Sequence, residues 1–255
     1  MPSNDIQEPQ QKYVGEYGPS MLQKWAEIAD RHRCRDTVFL QSLSAFFKPG
    51  KMLELGAATG NISEILLQMG FNIMPSDLSP TFVHAMRVKG MDARIVDAQN
   101  ICSSIDEKFD TILTSALSPF IVNSPNSISI KKTYQSIHSS LHTGGRLIFI
   151  FPRFSVIRYM LSKNITARKT YESESSLRVL KKKYATVRTH VMVIRQMGIF
   201  RIKEMFRHQV LPTSMYTERN MKLLNFIDFA VGRALGERTI FVLEKVEKSC
   251  TNDCN

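Results

Sequence analysis

Three carboxylates and a turn of small residues have the types and spacing for chemistry in this chain. Glu54 lies in the run Met52–Leu55, and "GAATG" follows it as Gly56 to Gly60. Asp77 ends the stretch "FNIMPSD", and Asp97 ends "DARIVD". Glycine has no Cβ, so a backbone can turn tightly there and a ligand can lie against it. A helix starting just after such a turn offers unpaired N–H groups, and a carboxylate at a strand end can accept hydrogen bonds from both hydroxyls of a ribose. Taken singly, Asp97 would serve as a plain helix cap and Asp77 as a turn residue before Ser79-Pro80. Three acids at three successive strand ends, behind a glycine turn, point instead to a ligand site.

The elements that must position them alternate along the chain. Short apolar runs at 51–55, 71–77, 92–97, 109–115 and 146–151 are separated by helical patterns at 61–69, 79–89 and 128–141. That rhythm predicts a parallel sheet with helices on both faces, and ligands of such sheets bind at the carboxyl ends of the strands. Ser79 and Pro80 read as the cap and first turn of one helix, and Gly144-Gly145 as the turn into the fifth strand. Beyond residue 180 the sequence predicts a helix from about 182 to 197 ending at Gly198, a strand over 201–210, a helix near 219–235 and a last strand over 238–245. Residues 20–47 read as one or two helices ahead of the sheet.

Spacing separates two kinds of nucleotide turn. A dinucleotide turn asks for G-x-G-x-x-G. Counted from Gly56, Ala58 and Asn61 occupy its second and third glycine positions, so two of three requirements fail. The pattern Glu54-x-Gly56-x-Ala58-x-Gly60 instead resembles motif I of the class I S-adenosylmethionine (SAM) dependent methyltransferases, with alanine at the middle glycine. The resemblance covers residues 48–151 well and 185–245 loosely. It implies an α/β, Rossmann-like, doubly wound and mostly parallel seven-stranded sheet with an antiparallel last strand. It implies SAM as cofactor, held by Glu54, Gly56, Ala57, Ala58, Gly60, Asp77, Leu78, Asp97, Ala98 and Ser115. Asp77 would take the ribose, Asp97 the adenine amino group, and apolar neighbours would sandwich the ring.

The acceptor is less legible. The sulfonium is already activated, so an enzyme of this kind mainly aligns the nucleophile and excludes water, and no fixed catalytic triad is expected or found. "TSALSPF", 114–120, lacks the Asn/Asp-Pro-Pro-aromatic pattern of enzymes that methylate exocyclic or amide nitrogens. No acid stands between Asp110 and Glu172, so the acidic ligands of magnesium-dependent catechol-type enzymes are missing and metal assistance is not expected. Six histidines are candidate bases: His32, His84, His138, His142, His190 and His208. His84 and His138 read as surface residues of flanking helices. His190 and His208, with Tyr17, Ser118 and Arg153, are the candidates for the substrate side.

Composition bounds the rest. At 255 residues, with 43% apolar and 22% charged, the chain fits one large soluble domain. No run reaches the roughly 18 apolar residues of a membrane span, and no signal-peptide core is visible, so a cytoplasmic location is expected. Residues 1–12 read as a flexible arm, 13–247 as the domain, 153–180 as a cap insertion over the acceptor, and 248–255 as a tail. Cys34, Cys102, Cys250 and Cys254 fit no zinc spacing. Residues 153–207 hold fourteen Lys or Arg against three Glu, which equals the whole net charge of +11. An anionic or carrier-bound small-molecule acceptor suits that segment. RNA or protein methylation is the alternative, although aromatic residues are not interleaved with the lysines as a stacking platform needs. A non-catalytic binding protein with this fold is a third reading, disfavoured by the intact Gly56, Gly60, Asp77 and Asp97.

Overall fold

The computed structural model describes residues 19–121, 125–152, 185–208, 216–217, 219–235 and 238–247. The arm, the tail beyond residue 247, the whole 153–180 segment, Tyr17 and Arg153 lie outside the described residues. The elements run α1 (Pro19–Leu43), β1 (Lys51–Leu55), α2 (Asn61–Gln68), β2 (Asn72–Asp77), α3 (Pro80–Val88) and β3 (Arg94–Ile95). They continue through β4 (Phe109–Ser115), the short α4 (Ser118–Ile121), α5 (Ile128–Ser140) and β5 (Leu141–Pro152). The last four are α6 (Val187–Met197), β6 (Phe200–His208), α7 (Met221–Leu235) and β7 (Arg238–Lys245).

The seven strands form one sheet in the order β3-β2-β1-β4-β5-β7-β6. β3, β2, β1, β4 and β5 are parallel neighbours, and β7 is inserted antiparallel between β5 and β6. The two-residue period of the strands splits the core. Leu53, Leu55, Ile112, Leu147 and Phe149 pack on one face with Ile137 of α5 and Val193 of α6. Met52, Ile73, Leu113, Ile148 and Ile150 pack on the other with Leu40 and Leu43 of α1 and Ile65 of α2. Strands buried on both faces read as continuous apolar runs, which is why β1, β4 and β5 are plain in the sequence.

Four boundaries differ from the sequence reading, each for a local reason. The third strand is two exposed residues, Arg94–Ile95, because at the sheet edge only Ser76 and Asp77 of β2 pair with it. The fifth begins at Leu141, where Leu141 pairs with Phe109 and a register shift between Phe109 and Thr111 absorbs the Gly144-Gly145 pair. α6 begins at Val187 rather than near 182, since Thr186 closes it with a capping box to Thr189. The N-terminal region is a single 25-residue helix with a short 3-10 turn after it. Ser79 sits at the N-cap of α3 but its hydroxyl makes no capping bond. The carboxylate of Asp77 takes the Ser79 N–H instead, at 2.9 Å.

α1 ties three parts of the molecule together. Its C-terminal half is buried at Val38, Phe39, Leu40 and Leu43. Arg33 pairs with Glu64 of α2 at 2.8 Å, and Asn225 of α7 donates to Ser42 at 2.9 Å. Its N-terminal half projects beyond the sheet, over the carboxyl ends of the parallel strands, and lines a cleft there.

Candidate active site

The cleft has a volume of about 1120 Å³. Its floor is the turn between β1 and α2. Gly56, Ala58 and Gly60 all adopt positive φ, at 74°, 50° and 79°. A Cβ on Gly56 would come within 2.9 Å of the Leu117 side chain, so this glycine lets the post-β4 segment close on the turn. Gly60 does not line the cleft: it packs against Met86 and Met91 beneath it, at the N-cap of α2. Ala58 pays for its left-handed backbone with strain of about 1 kcal/mol, and the bond from its N–H to the Asp77 carboxylate, 2.9 Å, holds it there.

The floor's carboxylates are largely engaged. Glu54 is buried, and its carboxylate accepts from the Ser63 hydroxyl at 2.5 Å, at the start of α2. Burial pushes its pKa up to about 7, with the nearby Asp77 charge adding to the rise and the bonds from Ser63 opposing it. Asp77 accepts from both Ala58 and Ser79 backbone N–H groups. Burial nevertheless pushes its pKa above the usual aspartate value, against the pull of those bonds. Asp97 accepts from the Gln99 N–H through one oxygen, at 2.9 Å, between the buried Val96 and Ala98.

The opposite side comes from the segment after β4. Ser115, Ala116, Leu117, Ser118 and Pro119 line the cleft. Ala116 has φ 55°, so two of the four non-glycine residues at positive φ among the described residues, Ala58 and Ala116, border one cavity. Strained backbone of this kind collects at ligand sites.

The remaining wall was not legible in the sequence. Trp25, Ile28, Ala29, His32 and Asp36 of α1 line the cleft. Their spacing of three, four and seven residues puts them on one helical face. The mix of apolar and polar types on that face hid the pattern. Arg238, at the start of β7, completes the wall because the antiparallel strand begins at the edge where the parallel ones end. Asp36 is paired with the buried Arg35 at 2.5 Å. His32 is half-buried, and burial together with the Arg35 charge lowers its pKa.

Of the sequence candidates, Glu54, Gly56, Ala57, Ala58, Asp77, Leu78, Asp97, Ala98, Ser115 and Ser118 all meet at the cleft. His190 and His208 do not. His190 is buried in the core, where Nδ1 faces the Tyr134 hydroxyl at 2.9 Å and Nε2 lies 2.8 Å from the Phe120 carbonyl. His208 is buried against Phe39 of α1. Both were assigned to the substrate side because they follow β5 in the chain. Both turn inward because α6 and β6 need buried faces. His84 and His142 are exposed, and His138, expected at the surface, is half-buried with its ring 3.2 Å from the Val246 carbonyl. Among the described residues, His32 is the histidine that reaches the cleft.

Residues 53–149 match the family model described as a methyltransferase domain. Over that stretch the chain is similar to S-adenosylmethionine-dependent methyltransferases. A methyltransferase from Clostridium acetobutylicum superposes with a TM-score of 0.56 at 15% identity, over 88% of this chain and 99% of that one. The magnesium protoporphyrin IX methyltransferase of Synechocystis gives 0.57 at 11% identity, over 93% and 99%. The glycopeptide N-methyltransferase MtfA gives 0.53 at 13%, over 83% and 87%. At such identities these likenesses establish the shared fold. No curated protein matches the chain.

The domain's own residues suit its cosubstrate. Asp77 and Asp97 stand about the cleft at successive strand ends, with Leu78, Val96 and Ala98 as apolar flanks. Among the described residues no helix is long and apolar enough to cross a membrane, and no group of three or more His, Cys, Asp or Glu is placed to hold a metal ion.

Proposed function

We propose that the cleft binds SAM along the β1–β3 edge and passes its methyl group to a small-molecule acceptor by direct displacement, without a metal. The observation that carries this is the convergence of Asp77, Asp97 and the Gly56–Ala58 turn on one cavity that continues past Ser115 to α1. Asp77 has capacity left on both oxygens for the ribose hydroxyls, and its two backbone donors hold it still while it accepts them. Asp97 receives the adenine amino group, with Val96 and Ala98 against the ring. SAM supplies an activated methyl on a positively charged sulfur. Burial raises the Glu54 pKa to about 7, so below that pH this carboxyl adds little negative charge beside Asp77.

The small-molecule reading is supported by the cavity itself, a concave cleft of about 1120 Å³. Two proteins of the same fold, a glycopeptide N-methyltransferase and a magnesium protoporphyrin IX methyltransferase, agree with it. Calorimetry tests the cofactor half: SAM and its demethylated product, S-adenosylhomocysteine, bind with micromolar affinity, about −8 kcal/mol, and NAD does not bind. Mass spectrometry of a metabolite extract incubated with the protein and SAM tests the acceptor half, through a product heavier by one methylene. Transfer persists in EDTA; loss restored by magnesium overturns the metal-free assignment. An anionic or carrier-bound acceptor requires an on-rate that falls with salt, since screening acts over about 8 Å at physiological ionic strength. The rival RNA reading requires submicromolar filter retention of total RNA with a steep salt slope.

A further inference from the structure

The segment after β4 forms one side of the cleft, yet its own sequence does little to hold it there. Its helix, α4, is four residues long. Inside it the Phe120 and Ile121 N–H groups share the Leu117 carbonyl. A helix that short does not form by itself, and its last carbonyls have no partner within it. Two of them are taken from the start of α6: Ile121 accepts from the Ala185 N–H at 2.7 Å, and Phe120 lies 2.8 Å from Nε2 of His190. The second bond fixes the protons of the histidine. A carbonyl only accepts, so Nε2 carries the hydrogen. The neutral ring then has a bare Nδ1, which accepts from the Tyr134 hydroxyl at 2.9 Å. Burial keeps the ring neutral by pushing its pKa down to about 4. The result is a chain of bonds with one sense, from Tyr134 through His190 to the Phe120 carbonyl, in which each bond polarises the next. Around it the rings of Phe120, Phe149, Phe151 and Phe241 stand 4.9 to 6.0 Å from the imidazole. An apolar side chain would fill that space as well, and a polar one is costly there unless bonded. α6 has no need of the bond, since a capping box starts it and Gly198 ends it. What the histidine adds is a donor for α4.

We propose that His190 is a positioning residue for methyl transfer: through the Phe120 carbonyl it fixes the side of the cleft formed by Ser115 to Pro119. The proposal rests on the SAM reading of the cleft and adds to it a residue that never touches the ligand. Ser115, Ala116, Leu117, Ser118 and Pro119 line the cavity, and Phe120, fully buried, anchors them from behind. The same stretch holds Ala116 at φ 55°. Strained backbone persists only where its surroundings hold it. One anchor is the bond from the Ala116 N–H to the Ile150 carbonyl, 3.1 Å; the other is the pair of bonds at Phe120 and Ile121. Held in advance, this side meets a ligand already in place. Released, it must be ordered at each binding event, which weakens affinity.

Three variants of the full chain separate this role from packing. His190→Phe fills the space of the ring and removes both bonds. His190→Gln keeps an N–H donor toward Phe120, and Tyr134→Phe removes only the hydroxyl. Hydrogen exchange read by mass spectrometry reports on the backbone. Amides of residues 115–121 exchange about tenfold faster in His190→Phe, and those of the β1–α2 turn are unchanged. Calorimetric affinity for S-adenosylhomocysteine falls about tenfold in His190→Phe, as for one buried hydrogen bond. It falls less in Tyr134→Phe and returns toward wild type in His190→Gln. In proton NMR of the wild type, His190 gives an exchange-resistant ring N–H signal that is lost in His190→Phe and shifted in Tyr134→Phe. All measurements are made well below the thermal midpoint of each variant; where His190→Phe fails to fold, Tyr134→Phe decides by the same readouts. A lower thermal midpoint with exchange at 115–121 and affinity both unchanged makes His190 a packing residue and overturns the proposal. So does a His190→Gln that behaves like His190→Phe. If the wild type itself does not bind S-adenosylhomocysteine, the cofactor reading has failed instead, and the exchange pattern alone then decides whether His190 holds this side of the cleft.

Discussion

The floor and the α1 wall of the cleft are built on opposite principles. In the floor almost every polar group is engaged by residues close in sequence or on the adjoining strand: Glu54 by Ser63, Asp77 by Ala58 and Ser79. In the wall, Trp25 and His32 face the cavity with no hydrogen bond to a described residue, held by the docking of α1 through its buried Phe39, Leu40 and Leu43 and through Arg33–Glu64 and Asn225–Ser42. A floor fixed by short-range bonds is rigid and suits a constant ligand. A wall on which Trp25 and His32 make no hydrogen bond to a described residue leaves its chemistry for a ligand that varies from one protein of a fold to the next.

The largest effect that would test this contrast is at Glu54. Its carboxyl has an ordinary pKa of 4.5 and about 7 in the fold. A raised acid stabilises the fold below its unfolded value and loses that contribution as pH rises through the folded value. From pH 5 to 8 the wild type therefore loses up to about 3 kcal/mol from this group. Glu54→Gln removes that slope, which urea denaturation at several pH values measures; equal slopes in the two proteins would show the floor to be wetter than its burial implies.

Next is Asp77→Asn, which keeps the shape but not the charge. Affinity for S-adenosylhomocysteine drops by about 1 to 3 kcal/mol in calorimetry. An unchanged affinity would remove Asp77 from the ribose site and leave it as a clamp on the turn.

A smaller effect is expected at Ala58, whose φ of 50° glycine adopts without strain. Ala58→Gly gains up to about 0.6 kcal/mol in thermal denaturation, the strain relieved less the entropy added to the unfolded chain. A loss of that size would show that the alanine methyl packs more than it strains.

Smallest is Ile28→Ala in the wall. Its stability change stays under about 0.5 kcal/mol, the range of sites away from a packed core. A cost of 2 kcal/mol would move α1's exposed half into the core and erase the difference between wall and floor.

Much of the floor was legible before any coordinates. The glycine turn and the strand-end acids Asp77 and Asp97 follow from period and spacing, because a strand, a turn and a helix start are set by residues within a few positions. The sequence "DARIVD" alternates like a six-residue strand, and only its pairing with the last two residues of β2 limits it to Arg94–Ile95. The two histidines placed by chain order, His190 and His208, went the wrong way: their direction depends on which face of α6 and β6 is buried, which local sequence does not encode.

What the sequence by itself determined is the alternating α/β order, the seven strands and the glycine turn with its strand-end acids, all consequences of short-range steric and hydrophobic periodicity. Only the tertiary structure decided that α1 reaches back over the sheet edge, that β7 enters between β5 and β6 with Arg238 at the cleft, and that His32 is the histidine left facing it. Those placements depend on contacts between residues some two hundred positions apart, such as Asn225 with Ser42. The energy of such contacts comes from burial shared among distant segments, and no local window of sequence carries it.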